Sequence, residues 1–589
     1  MNLKLSKKAT ILIRLALVVL SMGLCLFWGN KKEGYHIDEQ YSYGLANSAY
    51  LPFMHFGTQE YSVKDWMMEY GAGENGFQLF GNLSKDFAIL KDASFQVKNT
   101  KLYADYLIAQ RNSKDTYTTT WMDGSEYKYY LSASPNNRFN YASVYYNQRG
   151  DVHPPLFYMV LHTISSFAPG VFSKWFGIVM NTCFMGLALW TLYTMVRKHF
   201  GGDFNAIVCS LAWGTSACFV TDAVFIRMYA LLTLMVLLFI NAHLSYVATD
   251  DKNTDKKVMR KKYVGLAAIT ILGYMTHYYF VIIAIFVALI TILTLAIAKR
   301  GKAVFKYVLT MVISACIGIL IWPFSIKHVF LGYRGQSSIA AVTGGKYSFF
   351  SLKYILDMLF GDLFGKGKYW IFLGICLVAV VLFLLSKNKK IPVYKTAMIT
   401  VPVLGYLFFV PQMVPFLTRR YFLCLYPFIV LLAVSVVSYS ARNLPLKQKI
   451  KDVACIGAPV IVAAIIFFFA NAFMHRPDAL YPGGIETVEV PAKTDAVYVL
   501  PDADWNEANE DLVILSKCRK VGIVYRSNLQ ALSDYSYDDG TVLLISVQNS
   551  LNLEETVDAV KETLSASDFT VYDTKESGTF TRFFLRREP

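Results

Sequence analysis

Apolar runs of about 15 to 22 residues recur along most of this chain, separated by short loops rich in lysine and arginine. The first run, Ala9 to Trp28, follows Lys4, Lys7 and Lys8 and is long enough to span a bilayer. No small-residue cleavage site follows it, so the run reads as a retained helix with its N-terminus inside. Residues 30–152 carry mixed charges and many aromatics, are too polar to span, and are expected on the far side. From residue 154 the runs follow closely, interrupted by Arg197–Lys198, Lys252–Lys262, Lys299–Lys306, Lys387–Lys395 and Arg442–Lys451. Placing all of these basic loops inside predicts spans at 174–196, 203–221, 227–248, 262–277, 279–298, 305–323, 368–386, 392–411, 420–440 and 452–473.

With the first helix this makes about eleven spans. The apolar stretch 154–168 cannot cross in that topology; it is short and ends at Pro169-Gly170, so it reads as an interfacial or re-entrant helix. Residues 348–364, with Lys353, Asp357 and Asp362, read the same way, and crossing by either would raise the count toward about 13. Beyond residue 474 the apolar runs shorten. Asp495–Leu500, Asp511–Leu515, Val521–Tyr525 and Thr541–Val547 read as strands and Leu553–Leu564 as an amphipathic helix, which predicts a small α/β domain without a nucleotide-binding glycine loop. The fold expected is therefore an all-α polytopic membrane protein divided into a first transmembrane helix (1–29), a large first extracytoplasmic loop (30–153), a multi-helix membrane domain (154–473) and an extracytoplasmic α/β domain (474–589).

Composition agrees. Of 589 residues 55% are hydrophobic and 17% charged, against about a quarter charged in soluble proteins. The formal charge of +15 could suggest nucleic acid, but its confinement to short loops is the signature of a cytoplasmic membrane face. Of nine cysteines only Cys518 lies in a polar domain, so neither a disulfide framework nor a Cys/His metal site is indicated.

The unusual stretch is Gly150-Asp151-Val152-His153-Pro154-Pro155-Leu156-Phe157-Tyr158. Proline lacks an N–H and is harmless in a first helical turn, so the pair marks a helix start. Asp151 and His153 are left just outside that N-terminus, where free N–H groups favour an anion. Four more polar clusters fall at the outer ends of spans in this topology: Asp38 with Glu39, Arg227 with Tyr229, His277 with Tyr278 and Tyr279, and Arg419 with Arg420 and Tyr421. Each has a plain reading: arginines anchor headgroups, His277 sits in a helical hairpin, and Tyr41, Tyr43 and Tyr158 belong to an aromatic belt. Their shared side favours a site, because ionisable groups at the membrane boundary are costly unless solvated or paired.

The Asp38-Glu39 pair soon after the first helix, with Asp151-Val152-His153-Pro154-Pro155-Leu156 closing the first loop, resembles the protein O-mannosyltransferases and their bacterial relatives. Arg227-Met228-Tyr229-Ala230-Leu231, Thr276-His277-Tyr278-Tyr279 and Arg420-Tyr421 followed by Pro427 look like further segments of those relatives, so the resemblance runs to about residue 440. It implies the GT-C class of integral membrane glycosyltransferases, which take sugars from polyprenyl-phosphate carriers. By this resemblance Asp38 is the general base and Glu39 orients it or the acceptor. His153, Arg227 and Arg420 bind the donor phosphate, with Asp151, Tyr229, His277 and Tyr278 in support. A carboxylate base facing an intact phosphate leaving group implies single displacement with inversion. No cofactor is required, although Asp38, Glu39 and Asp151 leave room for a shared divalent cation. The family's arginine early in the span after the His-Pro-Pro helix is replaced here by Lys174, and the first loop is longer than usual.

The partners implied are a polyprenyl-phosphate-linked sugar, an acceptor protein, lipid or cell-wall polymer, and membrane lipids, with no nucleic acid. The location implied is the plasma membrane, with a cytoplasmic N-terminus and with the first loop and C-terminal domain outside. A ligase joining a lipid-linked glycan to a wall polymer shares most of these features. A flippase of lipid-linked sugars would be expected to show inverted repeats and ionisable residues at the bilayer midplane, whereas the clusters lie at the outer ends. A membrane-anchored polysaccharide-binding protein would leave the clusters unused.

Overall fold

The computed structural model describes residues 5–49, 51–53, 121–250, 254–331, 333–344, 349–365, 367–385, 393–414, 417–482, 484, 489–501 and 507–587. The chain divides into two compact units. One comprises Met1–Asn30, Gly177–Phe330 and Arg334–Ala479; the other comprises Lys31–Phe176, Leu331–Tyr333 and Leu480–Pro589.

The first unit is helical. Among the described residues, eight helices are long and apolar enough to cross a membrane: Lys7–Asn30, Lys174–His199, Tyr229–Val247, Tyr279–Ile297, Gly301–Ile321, Val393–Met413, Arg419–Arg442 and Gln448–Ala470. All eight coincide with expected spans, and the chain is a membrane protein. The other three expected spans differ for local reasons. Residues 203–221 are split into Gly202–Gly214 and Ala217–Val224, because Ser216 turns its hydroxyl to cap the second piece, accepting from the Phe219 N–H at 3.3 Å. The helix around 262–277 starts at Lys256, and its first turns carry Lys257, Arg260, Lys261 and Lys262. The helix in 368–386 has 16 residues, Tyr369–Leu384, and bends by 81° from Lys353–Phe364; taken as one broken span, the pair makes nine. Helix Leu156–Ser166 has 11 residues, about 17 Å, too short to cross.

Side-chain spacing sets the packing. Helix Tyr279–Ile297 buries Phe280, Ile283, Val287, Thr291 and Leu295 along one stripe and exposes Ile285, Leu289, Leu293 and Ile297 along another. Apolar exposure on that scale suits lipid. Helix Tyr229–Val247 is buried on nearly every side and is the centre of this unit, against Lys256–Tyr274, Tyr279–Ile297 and the 3-10 segment Arg419–Leu425.

The second unit combines helices with one six-stranded sheet, in the order β1-β3-β2-β4-β6-β5. Its strands are β1 (Met122–Asp123), β2 (Thr494–Leu500), β3 (Lys520–Tyr525), β4 (Val542–Gln548), β5 (Phe569–Ser577) and β6 (Phe580–Arg587). Strand β2 runs parallel to both β3 and β4, with Val497 opposite Gly522 and Ile545, while β6 runs antiparallel to both of its neighbours, β4 and β5. Val497, Val499, Leu543, Ile545, Val547, Val560 and Leu585 form the core beneath helix Leu553–Thr563. Full burial of such a side chain contributes about 1.5–3 kcal/mol.

One sequence expectation is corrected here. Residues 511–515 are not a strand: Leu512–Leu515 is a helical turn, because Asp511 is buried and gripped by Arg582 through two bonds of 2.8 Å. The hairpin β5–β6 was not foreseen.

Strand β1 belongs to the first loop yet pairs antiparallel with β3. Gly124, which follows it, donates its N–H to the Arg519 carbonyl at 2.9 Å, and a Cβ there would lie 1.8 Å from the Cys518 carbonyl oxygen, so only glycine fits. Helix Ile37–Asn47 packs on Gly124–Leu131, Tyr141–Gly150 and Leu156–Ser166. Its Gln40 amide donates to the Glu510 carbonyl at 2.5 Å and accepts from the Val513 N–H at 3.3 Å. The described parts of 30–153 and of 480–587 therefore share one folded body.

Candidate functional site

The N-terminal turn of helix Ile37–Asn47 sorts its two acids. His36 is the N-cap: its Nδ1 accepts from the Asp38 N–H at 3.1 Å, while the Glu39 carboxylate accepts from the His36 N–H at 2.8 Å. This reciprocal capping box turns Glu39 inward. Glu39 is fully buried and ion-paired with the equally buried Lys32, whose Nζ is 3.0 Å from both carboxylate oxygens. The Lys32 ammonium also lies 4.8 Å over the Tyr481 ring, and its carbonyl accepts from Lys174 Nζ at 2.5 Å. Asp38 is left as the acid with access to solvent, its side chain 25% exposed and 3.5 Å from the His36 ring. An Nδ1 that accepts carries no proton, so the neutral His36 ring holds its proton on Nε2.

Asp151 and His153 form a second pair in this unit. Asp151 closes helix Tyr141–Gly150, and its carboxylate lies 2.7 Å from His153 Nδ1, both side chains mostly buried. A carboxylate only accepts, so His153 donates from Nδ1 and presents Nε2 away from the pair. The helix that follows begins at Leu156, just past the two prolines.

The remaining candidates lie in the membrane unit. Arg227 occupies the break between Ala217–Val224 and Tyr229–Val247, nearly buried. The break is fixed by the Phe225 carbonyl, which accepts from the Arg227 N–H and from Asn181 Nδ2, each at 2.8 Å. Gly177 lets this segment approach, since a Cβ there would sit 2.1 Å from Ile226 Cγ2. Tyr229, the first residue of its helix, faces two other breaks: its ring is 5.9 Å from His277 and 6.1 Å from Tyr421. Tyr279 completes the group, 4.4 Å from His277 and 5.9 Å from Tyr421. His277 is held by the Tyr279 N–H, which donates to its Nδ1 at 3.0 Å. Tyr278 turns elsewhere. Its hydroxyl accepts from Trp322 Nε1 at 2.9 Å and shares a hydrogen bond with His328 Nδ1 at 2.9 Å.

The adjacent arginines separate as well. Arg419 is committed to Asp362, at 2.7 Å, and to Asp478, with Asp362 also receiving the Tyr426 hydroxyl. Arg420 lies 5.3 Å over the Tyr421 ring, at the edge of the aromatic group. The structure thus brings Tyr229, His277 and Arg420–Tyr421 together, with Arg227 in the turn that starts the Tyr229 helix. Sequence reasoning missed Lys32, His36, Asp362, His328 and Trp322. The His-x-x-Glu spacing at 36–39 signalled the cap; the Arg419–Asp362 pair, formed across distant segments, had no local signal. Among the described residues, no group of three or more His, Cys, Asp or Glu side chains is placed to hold a metal ion.

No protein-family model matches the chain, and a search of curated proteins finds no match. Among solved structures the chain is similar to ArnT from Cupriavidus metallidurans bound to undecaprenyl phosphate, at 13% identity and a TM-score of 0.34 over 82% of this chain and 97% of that one. It is also similar to the archaeal oligosaccharyltransferase AglB from Archaeoglobus fulgidus in complex with an inhibitory peptide and a dolichol-phosphate. That likeness has 12% identity and a TM-score of 0.36 over 83% of this chain and 74% of that one.

Proposed function

We propose that this chain is an integral membrane glycosyltransferase that moves a sugar from a polyprenyl-phosphate carrier to an acceptor hydroxyl on the outer face of the plasma membrane. The observation that carries the reading is the division of labour at the Asp38-Glu39 pair: Glu39 is sealed against Lys32, while Asp38 is held at a helix start with its carboxylate accessible. A preorganised, solvent-accessible carboxylate suits proton abstraction from an acceptor.

In this reading Asp38 takes the acceptor proton as the oxygen attacks the anomeric carbon, and the carbon–phosphate oxygen bond breaks with inversion. Glu39 and Lys32 fix the helix start and so position Asp38. Arg227, Arg420 and His153, oriented by Asp151, take up the charge that builds on the departing phosphate. Within the membrane unit Tyr229, His277 and the Tyr421 ring form the aromatic group beside Arg420, and Tyr278 braces the His277 turn from the Trp322 side. With cations to neutralise a monophosphate, the transfer requires no resident metal.

The test uses purified full-length protein in lipid nanodiscs with a panel of polyprenyl-phosphate sugars, reading release of free polyprenyl phosphate with and without a chelator. Release that survives chelation and disappears in Asp38→Asn supports the reading. Equal release by Asp38→Asn removes Asp38 as the base. Lipid translocation in vesicles without release would instead mark a flippase.

A further inference from the structure

A cavity of about 560 Å³ lies in the membrane unit among Arg197, Lys198, Gly201, Arg442 and Lys451, with Asp203 and Asp452 also in its wall. It is remote from Arg227 and Tyr229. Lys198 Nζ donates to Ser245 Oγ at 3.1 Å, and Ser245 lies sixteen residues beyond Tyr229 on the same helix, about 24 Å along its axis. The cavity therefore sits at the opposite end of the spans, and nothing in the reaction above uses it.

Its chemistry is that of an anion site. Two helices start at its wall, Gly202–Gly214 and Gln448–Ala470, and neither N-terminus has a side-chain cap. Their first N–H groups carry partial positive charge and are satisfied by acceptors from outside the helix. Gly201 and Gly202, at φ of 125° and 83°, turn the backbone sharply into the first of these helices. Of the acids, Asp203 is already neutralised by Arg197 at 2.5 Å, and Asp452 accepts from Gln448 at 2.9 Å. Arg442 donates to the Gly201 carbonyl at 3.0 Å, which sets its guanidinium against the glycine turn. The wall thus carries four cations, Arg197, Lys198, Arg442 and Lys451, against two acids, Asp203 and Asp452.

The mouth indicates which anion. Ile456, also in the wall, is 42% exposed on a helix whose outer face is apolar, so the cavity opens to the hydrocarbon edge as well as to water. We propose that this cavity binds the phosphate of an anionic phospholipid headgroup, with an acyl chain running past Ile456. A phosphate diester supplies acceptors for the uncapped N–H groups and for Lys451, and basic recesses between spans are suited to such headgroups.

The experiment measures lipid retention by native mass spectrometry. Full-length protein in detergent is offered phosphatidylglycerol or phosphatidylcholine, and inorganic phosphate is tried separately as a competitor and as a thermal stabiliser. Wild type should retain phosphatidylglycerol over phosphatidylcholine. The Lys198→Glu/Lys451→Glu variant should retain about tenfold less or weaker still, with Lys306→Glu, a charge reversal outside the cavity, close to wild type. Equal retention by all three proteins overturns the proposal, as does equal loss in Lys306→Glu, which would mark a diffuse charge effect. Stabilisation by inorganic phosphate without lipid retention overturns the lipid and assigns the cavity to free phosphate. Sugar transfer by these variants is read in parallel, so a failure here is separable from a failure of the transferase reading.

Discussion

Replacing Glu39 by glutamine separates the structural acid from the accessible one. The substitution keeps the shape of the side chain and an acceptor for the His36 N–H, but it removes the charge 3.0 Å from Lys32 Nζ. Lys32 is 2% exposed, and a second ammonium, that of Lys174, is bound to its carbonyl, so the remaining positive charge has little access to water. Breaking one side of a buried pair costs about 3–5 kcal/mol. Glu39→Ala should cost about 1 kcal/mol more, because the cap acceptor goes as well. Domains are stable by about 5–15 kcal/mol, so either change is large. Removing both charges in Lys32→Met/Glu39→Gln should recover most of the loss, with a coupling energy of about 2 kcal/mol or more in the double-mutant cycle. The assay is unfolding of the purified full chain by denaturant titration, followed by tryptophan fluorescence and proteolytic susceptibility of the second unit. Glu39→Gln within about 0.5 kcal/mol of wild type, with an additive cycle, would refute the reasoning. At matched folded fraction Glu39→Gln should still transfer sugar.

Other expectations follow from the same geometry. Asp38→Asn should lower turnover by about 10²–10⁴-fold with unchanged thermal stability, checked by donor-release kinetics beside unfolding curves. Arg419→Ala should lower stability, because Asp362 loses its ion pair, whereas Arg420→Ala should leave the melting curve in place and weaken donor use; an inverted pattern would reassign the two. Gly44→Ala should destabilise by about 1–3 kcal/mol, since its Cβ would lie 2.1 Å from the Tyr130 ring. Burial in the second unit lowers the His162 pKa from 6.5 to about 4. The unfolded chain therefore binds a proton that the folded one excludes, and stability should be full above pH 6.5 and fall as the pH drops toward about 4. Its ceiling is about 3 kcal/mol. His162→Gln should flatten that part of the pH–stability curve, and an unchanged slope would remove His162 as its source.

The sequence by itself determined the class of the molecule. Bilayer thickness fixes how long an apolar run must be, and eight helices fall where the runs predicted them because that constraint is local. The start of the helix at Leu156 was legible for the same reason: the two prolines act on their own neighbours. The His36–Glu39 cap was not read from the sequence, and neither was its consequence, a buried Glu39 beside an accessible Asp38. Only the tertiary structure decided that consequence, because it depends on Lys32 and on the cover provided by Tyr481, far along the chain. Tertiary contacts likewise turned Tyr278 toward Trp322 and His328, committed Arg419 to Asp362 and Asp478, and added Met122–Asp123 to the edge of a sheet formed almost 400 residues later. Periodicity and spacing act within a few residues, whereas ion pairs and strand pairing act between surfaces that exist only once the chain has folded.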